Sequence, residues 1–166
     1  IGPDMRYSVD DYYDDYHLMD VRVVSTLGIT ENDIAELKKI EELKGIQPAY
    51  SVDVFARLAG VEQVVRVHSY NMSDAFSNSD NYLNRLVIKE GRMPNKPNEC
   101  IIEYGKMMAS GFQVGDTISL YSHDDLSETL TRTQYTIVGM VNTPYYLSFQ
   151  KGSSDIGGGT LNTFIY

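Results

Sequence analysis

The pattern of apolar and polar positions is clearest near the amino-terminal end. The apolar run "LMDVRVV", residues 18–24, gives way to "STLGITENDIAELKKIEELKGIQPAY", residues 25–50, which leads into a second apolar run. This order predicts a strand, a helix and another strand. Thr30 stands where an N-cap is needed, Asp33 falls at N3 as a short form of the capping box, and Ile29 and Ile34 are spaced as a hydrophobic staple. Glu31 and Asp33 put negative charge in the first turn, Lys38, Lys39 and Lys44 put positive charge toward the end, and Gly45 offers a C′ stop. The apolar positions Ile34, Leu37, Ile40 and Leu43 recur every third residue. Such a stripe drifts by about 60° per step around a 3.6-residue helix, which predicts a short helix whose last turn tightens.

Past Gly45, "IQPAYSVDVFARLAG" and "EQVVRVHSY" carry β-branched and aromatic residues in loose alternation, with Gly60 between them, and predict a hairpin. Val52, Val54, Ala56 and Leu58 share one parity and Ser51, Asp53 and Arg57 the other, as in a sheet with one wet face. The polar stretch "NMSDAFSNSDN", residues 71–81, reads as a linker between two lobes. The second half predicts short strands around residues 84–88, 99–103 and 117–122, a helical turn at "YGKMMASGF", a hairpin tip at "HDDLSE", a strand at "TQYTIVGMV", a loop over 142–160 and a last strand at "LNTFIY". The fold class is therefore α+β with β dominant.

The 166 residues suffice for one ordinary domain or two small lobes sharing an interface. A formal charge of −9 argues against sequence-independent binding to nucleic acid, whose affinity comes from neutralising phosphates with Lys and Arg. The one cysteine, Cys100, excludes an intrachain disulfide and any multi-cysteine zinc site. No window approaches the roughly 20 apolar residues of a membrane-spanning helix. The abrupt ends, "IGPDM" and "LNTFIY", suggest a segment excised from something longer.

Motif chemistry is sparse. The glycine-rich "GSSDIGGGT", residues 152–160, lacks the Lys-Ser or Lys-Thr of a P-loop and any Rossmann spacing, and reads as a mobile surface loop. His17, His68 and His123 are too scattered for a metal cluster, and H-E-x-x-H, C-x-x-C and G-x-S-x-G are absent. Cys100, ahead of "IIEY" in an apolar strand, reads as a small core residue rather than a nucleophile. Asp10, Asp11, Asp14 and Asp15 with Tyr12, Tyr13 and Tyr16 could gather calcium or stack on sugars, but no EF-hand pattern supports the first, and a solvated leader holding the chain start to the domain is the simpler reading. Tyr145 and Tyr146 in "TPYYLSF" read as an aromatic contact loop or as a buried lobe junction. The expected contact surface is thus Tyr12, Tyr13, Tyr16, Tyr145 and Tyr146, with no catalytic, cofactor or metal residue.

Set in order, "DVRVVSTLGITENDIAELKKIEELKGIQPAYSVDV", "LVIKEGRMPNKPNECIIE", "FQVGDTISLY", "YTIVGMVNTP" and "GTLNTFIY" resemble the extracellular core domain of MacB-like and FtsX-like ABC transporter permeases, from about Asp20 to Tyr166. The most specific pieces are "KEGRMPNKPNECII", "VGDTISL" and "YTIVGMV". Taken alone, these pieces specify geometry: Gly91 and Pro94 turn the chain, Gly115-Asp116 opens a strand, and Gly139 marks a close approach of another segment.

The resemblance implies a two-lobed periplasmic core domain. Residues 20–80 and 143–166 would form a porter-like α/β lobe, residues 81–142 a smaller inserted β-rich lobe, and residues 1–19 an acidic, tyrosine-rich leader. It further implies a non-enzymatic module on the extracytoplasmic face of the cell membrane, in a Gram-positive bacterium, needing no cofactor. Its partners would be the transmembrane helices of the same parent chain, a cytoplasmic ATPase subunit and an extracellular protein or peptide. Its role would be mechanotransmission or recognition in export or extracellular signalling. The alternative is a free-standing module that binds surface glycans or proteins through exposed tyrosines.

Overall fold

The computed structural model describes residues 11–58, 61–104, 111–122, 130–144, 154, 156 and 162–165. A helical run over residues 11–15, α1, is followed by α2 (Glu31–Leu37), β1 (Ser51–Leu58), β2 (Val61–His68), α3 (Met72–Ser77), β3 (Val87–Gly91), β4 (Glu99–Glu103), β5 (Thr117–Tyr121), β6 (Gln134–Asn142) and β7 (Asn162–Ile165). The fold is α+β with β dominant. The described strands form one sheet in the order β3-β6-β4-β7-β2-β1-β5, and a further β5–β6 pairing joins six of them, all but β3, into a ring. Pairing is mixed: β2 with β7 and β4 with β6 run parallel, and the other neighbours run antiparallel. Strands from residues 20–80 and from 81–142 therefore enter the same sheet.

Alternation explains why the ring closes around a single core. Val54 and Ala56 of β1, Val65 and Val67 of β2, Cys100 and Ile102 of β4, Ile118 and Leu120 of β5, and Tyr135 and Ile137 of β6 are buried in one cluster. Each pair is two residues apart, so over these positions each strand sends one parity inward, as a closed sheet requires. A second cluster, Tyr70, Tyr82, Leu86, Ile101, Val138 and Val141, is covered by Met72 and Ala75 of α3; on β6 the parity changes past the register shift opposite Cys100 and Ile101, so that Met140 joins the first cluster and Val141 the second. Tyr70 and Tyr82 meet edge to face with ring centroids 5.7 Å apart.

Local signals behave as the sequence predicts where a nearby partner suffices. Thr30 caps α2 and shares a reciprocal capping box with Asp33, whose carboxyl is held below its ordinary range by the Thr30 hydroxyl and backbone N–H. Beyond Leu37 the backbone continues in i→i−3 bonds, Lys39 N–H to Glu36 O, Ile40 to Leu37 and Leu43 to Ile40, so the three-residue apolar spacing is expressed as tightened turns. The β1–β2 hairpin forms as expected, with Ser51 opposite His68. On its outward face the Arg66 guanidinium donates two hydrogen bonds, at 2.6 and 2.8 Å, to the carboxylate of its register partner Asp53. The same outward parity holds an apolar pair, the register partners Phe55 and Val64, packed with Tyr121 and Ile156.

Three expectations need correction. Residues 18–24 form no strand, since among the described residues no segment pairs with them, and residues 21–25 are exposed. Gly45 is not the C′ residue of α2, which ends at the Lys38 cap; a Cβ at Gly45 would lie 2.1 Å from the Asp80 carbonyl oxygen, so its role is close packing of the returning chain. The polar stretch 71–81 contains α3 in place of a linker, since the Asn71 side chain accepts from the N–H groups of Ser73 and Asp74, and Asn78 ends the helix in the left-handed region. The expected helical turn near "YGKMMASGF" and hairpin tip "HDDLSE" lie largely outside the described residues.

The geometry of the second half has a direct cause in close backbone approach. A Cβ on Gly139 of β6 would sit 2.4 Å from the Arg92 carbonyl oxygen, and one on Gly91 of β3, at φ +72°, would sit 2.2 Å from that of Val138. After this crossing the Arg92 guanidinium grips the buried Glu99 carboxylate through two bonds of 2.6 and 2.7 Å, and the Asn95 N–H adds a third at 2.9 Å. These bonds, led by Arg92, hold Glu99 down to about 2 from an ordinary 4.5 against the opposing effect of desolvation.

Two measurements check these constraints. Gly139→Ala is expected to destabilise the protein by roughly 1–3 kcal/mol in urea unfolding, the usual cost of overpacking a spot where only backbone could move; an unchanged midpoint would contradict the close approach. For Glu99, the native protein binds fewer protons than the unfolded chain between about pH 4.5 and 2, so the pair's contribution is full above that window and is lost as pH falls through it. Glu99→Gln is expected to be less stable than the parent at pH 7 and to converge with it near pH 2, whereas a constant gap across the window would contradict this linkage.

Candidate functional site

The tyrosine-rich leader is the exposed aromatic group that the sequence singles out. Tyr12 of α1 and Tyr16, just past its end, are one turn apart and their rings tilt together at 4.5 Å, while Tyr13 meets Tyr12 edge-on at 6.4 Å. Tyr12 remains 37% and Tyr13 41% exposed. The Tyr12 phenol is pushed up by desolvation and by Tyr16 beside it, so it is a neutral donor at physiological pH. The structure therefore brings Tyr12, Tyr13 and Tyr16 together; Tyr145 and Tyr146 lie outside the described residues.

A node at Asn84 fixes this leader to the body. The backbone N–H groups of Asn84 and Arg85 donate to the carbonyls of His17 and Tyr16, both at 2.8 Å, and the Met19 N–H donates to the Asn84 side-chain oxygen at 3.2 Å. Asn84 itself is buried at φ +49°, a left-handed conformation that asparagine tolerates better than most residues. The Tyr70 hydroxyl donates to the Leu83 carbonyl at 2.6 Å and to that of Asn84 at 3.1 Å, tying the node to the outer core cluster. Sequence reasoning misses this node because its partners lie 65 residues apart.

The other candidate residues carry no reactive arrangement. Cys100 is buried in the ring, and desolvation pushes its thiol up to about 12, so it is protonated and unreactive at neutral pH. His68 is buried in β2, His17 sits in the leader at φ +45°, and His123 is outside the described residues. Among the described residues no group of three or more His, Cys, Asp or Glu side chains is placed to hold a metal ion. Within the glycine-rich stretch the described Ile156 packs on Phe55 and Val64; the remainder apart from Ser154 is outside the described residues.

Two polar features escape sequence reasoning. On the outside of the ring, the Tyr121 hydroxyl donates to the Glu62 carboxylate while the Arg57 guanidinium lies 5.4 Å from the same ring, and the Glu62 bond raises the phenol above its ordinary range. Near the end of the β5–β6 pair, Asn98, Thr117, Arg132, Gln134 and Thr136 line an open groove. Thr117 and Thr136 are register partners, and the alternation in "TISLY" and "QYTIV" is the signal that could have found them. Hydroxyls, amides and one guanidinium can hydrogen-bond a polar chain, but they offer no nucleophile and base in reach of each other.

No family model matches the sequence, and no curated protein matches it. Among solved structures, the chain is similar to the extracellular domain of the noncanonic ABC-type transporter YknZ from Gram-positive bacteria, with a TM-score of 0.50 and 12% identity over 85% of this chain and 63% of that one. It also matches the periplasmic region of MacB from Actinobacillus actinomycetemcomitans, with a TM-score of 0.38 and 10% identity over 82% of this chain and 60% of that one. The chain thus spans less than two thirds of either structure. The first likeness establishes the fold, which this chain shares with that extracellular domain. Among the described residues no helix is long and apolar enough to cross a membrane.

The anchoring node makes a separable prediction. Asn84→Ala, which removes the acceptor for Met19 and disfavours the left-handed backbone, is expected to destabilise the protein by roughly 1–3 kcal/mol and to speed proteolysis within the leader. Asn84→Gly keeps the backbone conformation and should recover part of the stability while leaving the leader more cleavable than in the parent. Equal protection of the leader in all three proteins would show that it is held elsewhere.

Proposed function

We propose that this chain is the extracytoplasmic domain of an ABC-type permease in a Gram-positive bacterium, a non-catalytic module that carries motion or recognises a partner in export or extracellular signalling. The observation that carries this reading is the fold shared with the YknZ extracellular domain over 85% of the chain. Its partners would be the transmembrane helices of its own parent chain, a cytoplasmic ATPase subunit and an extracellular protein or peptide. The ring of strands suits such a role, since a closed sheet with one continuous interior moves as a rigid body under a pull applied outside it. The division into a porter-like part, residues 20–80 and 143–166, and an inserted part, residues 81–142, belongs to the same proposal.

A second reading rests on Tyr12, Tyr13 and Tyr16, whose rings cluster while two of them stay exposed. With Tyr145 and Tyr146 they would form an aromatic contact surface for a glycan or protein. The two readings part at the gene. One apolar span of about 20 residues before this segment and three after it, with an ATPase subunit that co-purifies with the full-length protein, is the outcome expected of the permease. A secretion signal or wall anchor without such spans would overturn it and leave the aromatic surface as the site to pursue.

A further inference from the structure

On the outside of the ring the starts of β4 and β5 flank β6, and a groove of about 510 Å³ opens over them. Backbone pairing fixes its place. Thr117 of β5 stands opposite Thr136 of β6, and the Thr136 N–H donates to the Asn98 carbonyl at 2.8 Å. Because Ile118, Tyr135 and Ile137 point into the core, their neighbours Thr117, Gln134 and Thr136 face outward. Arg132, two residues ahead of Gln134, adds a guanidinium to the same lining.

The electrostatics of the groove run against those of the chain. The formal charge is −9, yet no acidic residue is in this lining. Glu99, next to Asn98, has both carboxylate oxygens on the Arg92 guanidinium, and Asp116, next to Thr117, accepts from the Gln113 N–H at 2.8 Å. Among the described residues the Arg132 guanidinium has no ion pair or hydrogen bond, and neither do the side chains of Asn98, Thr117, Gln134 and Thr136. One free cation is thus set among neutral groups that can each donate or accept.

This lining narrows the ligand. A strand-forming peptide needs a free sheet edge, but over the groove β5 and β6 are paired with each other, and the Tyr135 ring is turned into the core, so an apolar side chain would meet only hydroxyls and amides. A polyanion would find a single guanidinium and the repulsion of the whole chain. Hydroxyl and amide side chains suit the neighbouring hydroxyl groups of a sugar, and a lone guanidinium suits one carboxylate or phosphate.

We infer that the groove binds an acidic carbohydrate, with Arg132 seating its carboxylate or phosphate and Asn98, Thr117, Gln134 and Thr136 holding its hydroxyls. The groove's own side chains carry this inference, independently of the transporter reading and of the leader tyrosines. The test is titration of the isotope-labelled 166-residue chain with sialyllactose and with glucose phosphate, against lactose and glucose as their neutral counterparts, followed by backbone amide NMR. At least one acidic probe should bind with a Kd of about a millimolar or tighter, shift the amides of Thr117, Gln134 and Thr136, and bind about tenfold more tightly than its neutral counterpart. Which of the two does so distinguishes a carboxylate from a phosphate. Arg132→Gln should abolish that preference and Arg132→Lys retain part of it, whereas Lys89→Gln, which removes an equal charge from exposed β3, should change nothing. Thr117→Val combined with Thr136→Val should weaken acidic and neutral probes alike, with an unchanged amide spectrum elsewhere reporting an intact fold. No binding of either acidic probe up to about 10 mM, equal affinity for the neutral sugars, indifference to Arg132→Gln, or equally tight binding of inorganic phosphate or an oligoglutamate peptide would each overturn the inference.

Discussion

The structure depends on how strand β6 is shared. One of its edges takes β4 in parallel, while the other is divided: Gln134–Thr136 pair with β5, and Gly139–Asn142 pair with β3. That division is what lets six strands close a ring and leaves β3 outside it. Two strands can use one edge in succession only if the second approaches without side chains in the way, and the crossing falls where Gly139 faces the Arg92 carbonyl and Gly91 faces that of Val138. The Arg92–Glu99 pair then fixes the chain that runs from β3 into β4. β3 is left as the terminal strand, and there a bulge at Lys89 and the charges of Lys89 and Glu90 discourage pairing with another chain.

Closing the ring decides where function can reside. Among the described residues the interior cluster holds aliphatic and aromatic side chains, Met140 and the protonated thiol of Cys100, and no charged side chain. The chemistry that remains is on the outside, in the leader tyrosines, the polar groove beside β6 and the arm over residues 20–44. Among the described residues none of these combines a nucleophile with a base.

Features set by near neighbours are legible in the sequence. The capping box of Thr30 and Asp33, the tightened turns after Leu37 and the alternation of β1 and β2 each depend on residues within a few positions or on one hairpin partner. The Asn71 cap is equally local, and "NMSD" carries its signal, but the polarity of the whole stretch masks it as a linker. Features set by distant partners are not legible. Val21, Val23 and Val24 have every propensity for a strand, yet a strand also needs a ladder, and among the described residues none pairs with them. The Asn84 node and the parallel β4–β6 pairing, with β7 inserted between β4 and β2, arise from pairings that no window of sequence contains. Of the expected contact surface, the i, i+4 relation of Tyr12 and Tyr16 is readable, whereas what anchors it is not.

The arm poses the remaining physical problem, because a seven-residue helix is too short to be stable on propensity alone and α2 buries nothing to help it. Its local support is the capping box and the Lys39–Glu36 pair at 2.5 Å, an exposed contact of small worth. What makes the arm different from a free tail is its two roots. Asn84 and Asn81, three positions apart, hold both ends of the excursion on one rigid segment, so much of the loop-closure entropy is already spent before any contact forms outside. A surface presented in this way loses less freedom on docking than a free segment would, and preorganisation of that kind turns modest apolar area into measurable affinity. The same two roots join the arm to the segment beneath the outer core cluster, where Tyr82 and Leu86 pack against β4 and β6. A load applied to the arm would therefore reach the ring through packed side chains and backbone hydrogen bonds, with no flexible linker between them.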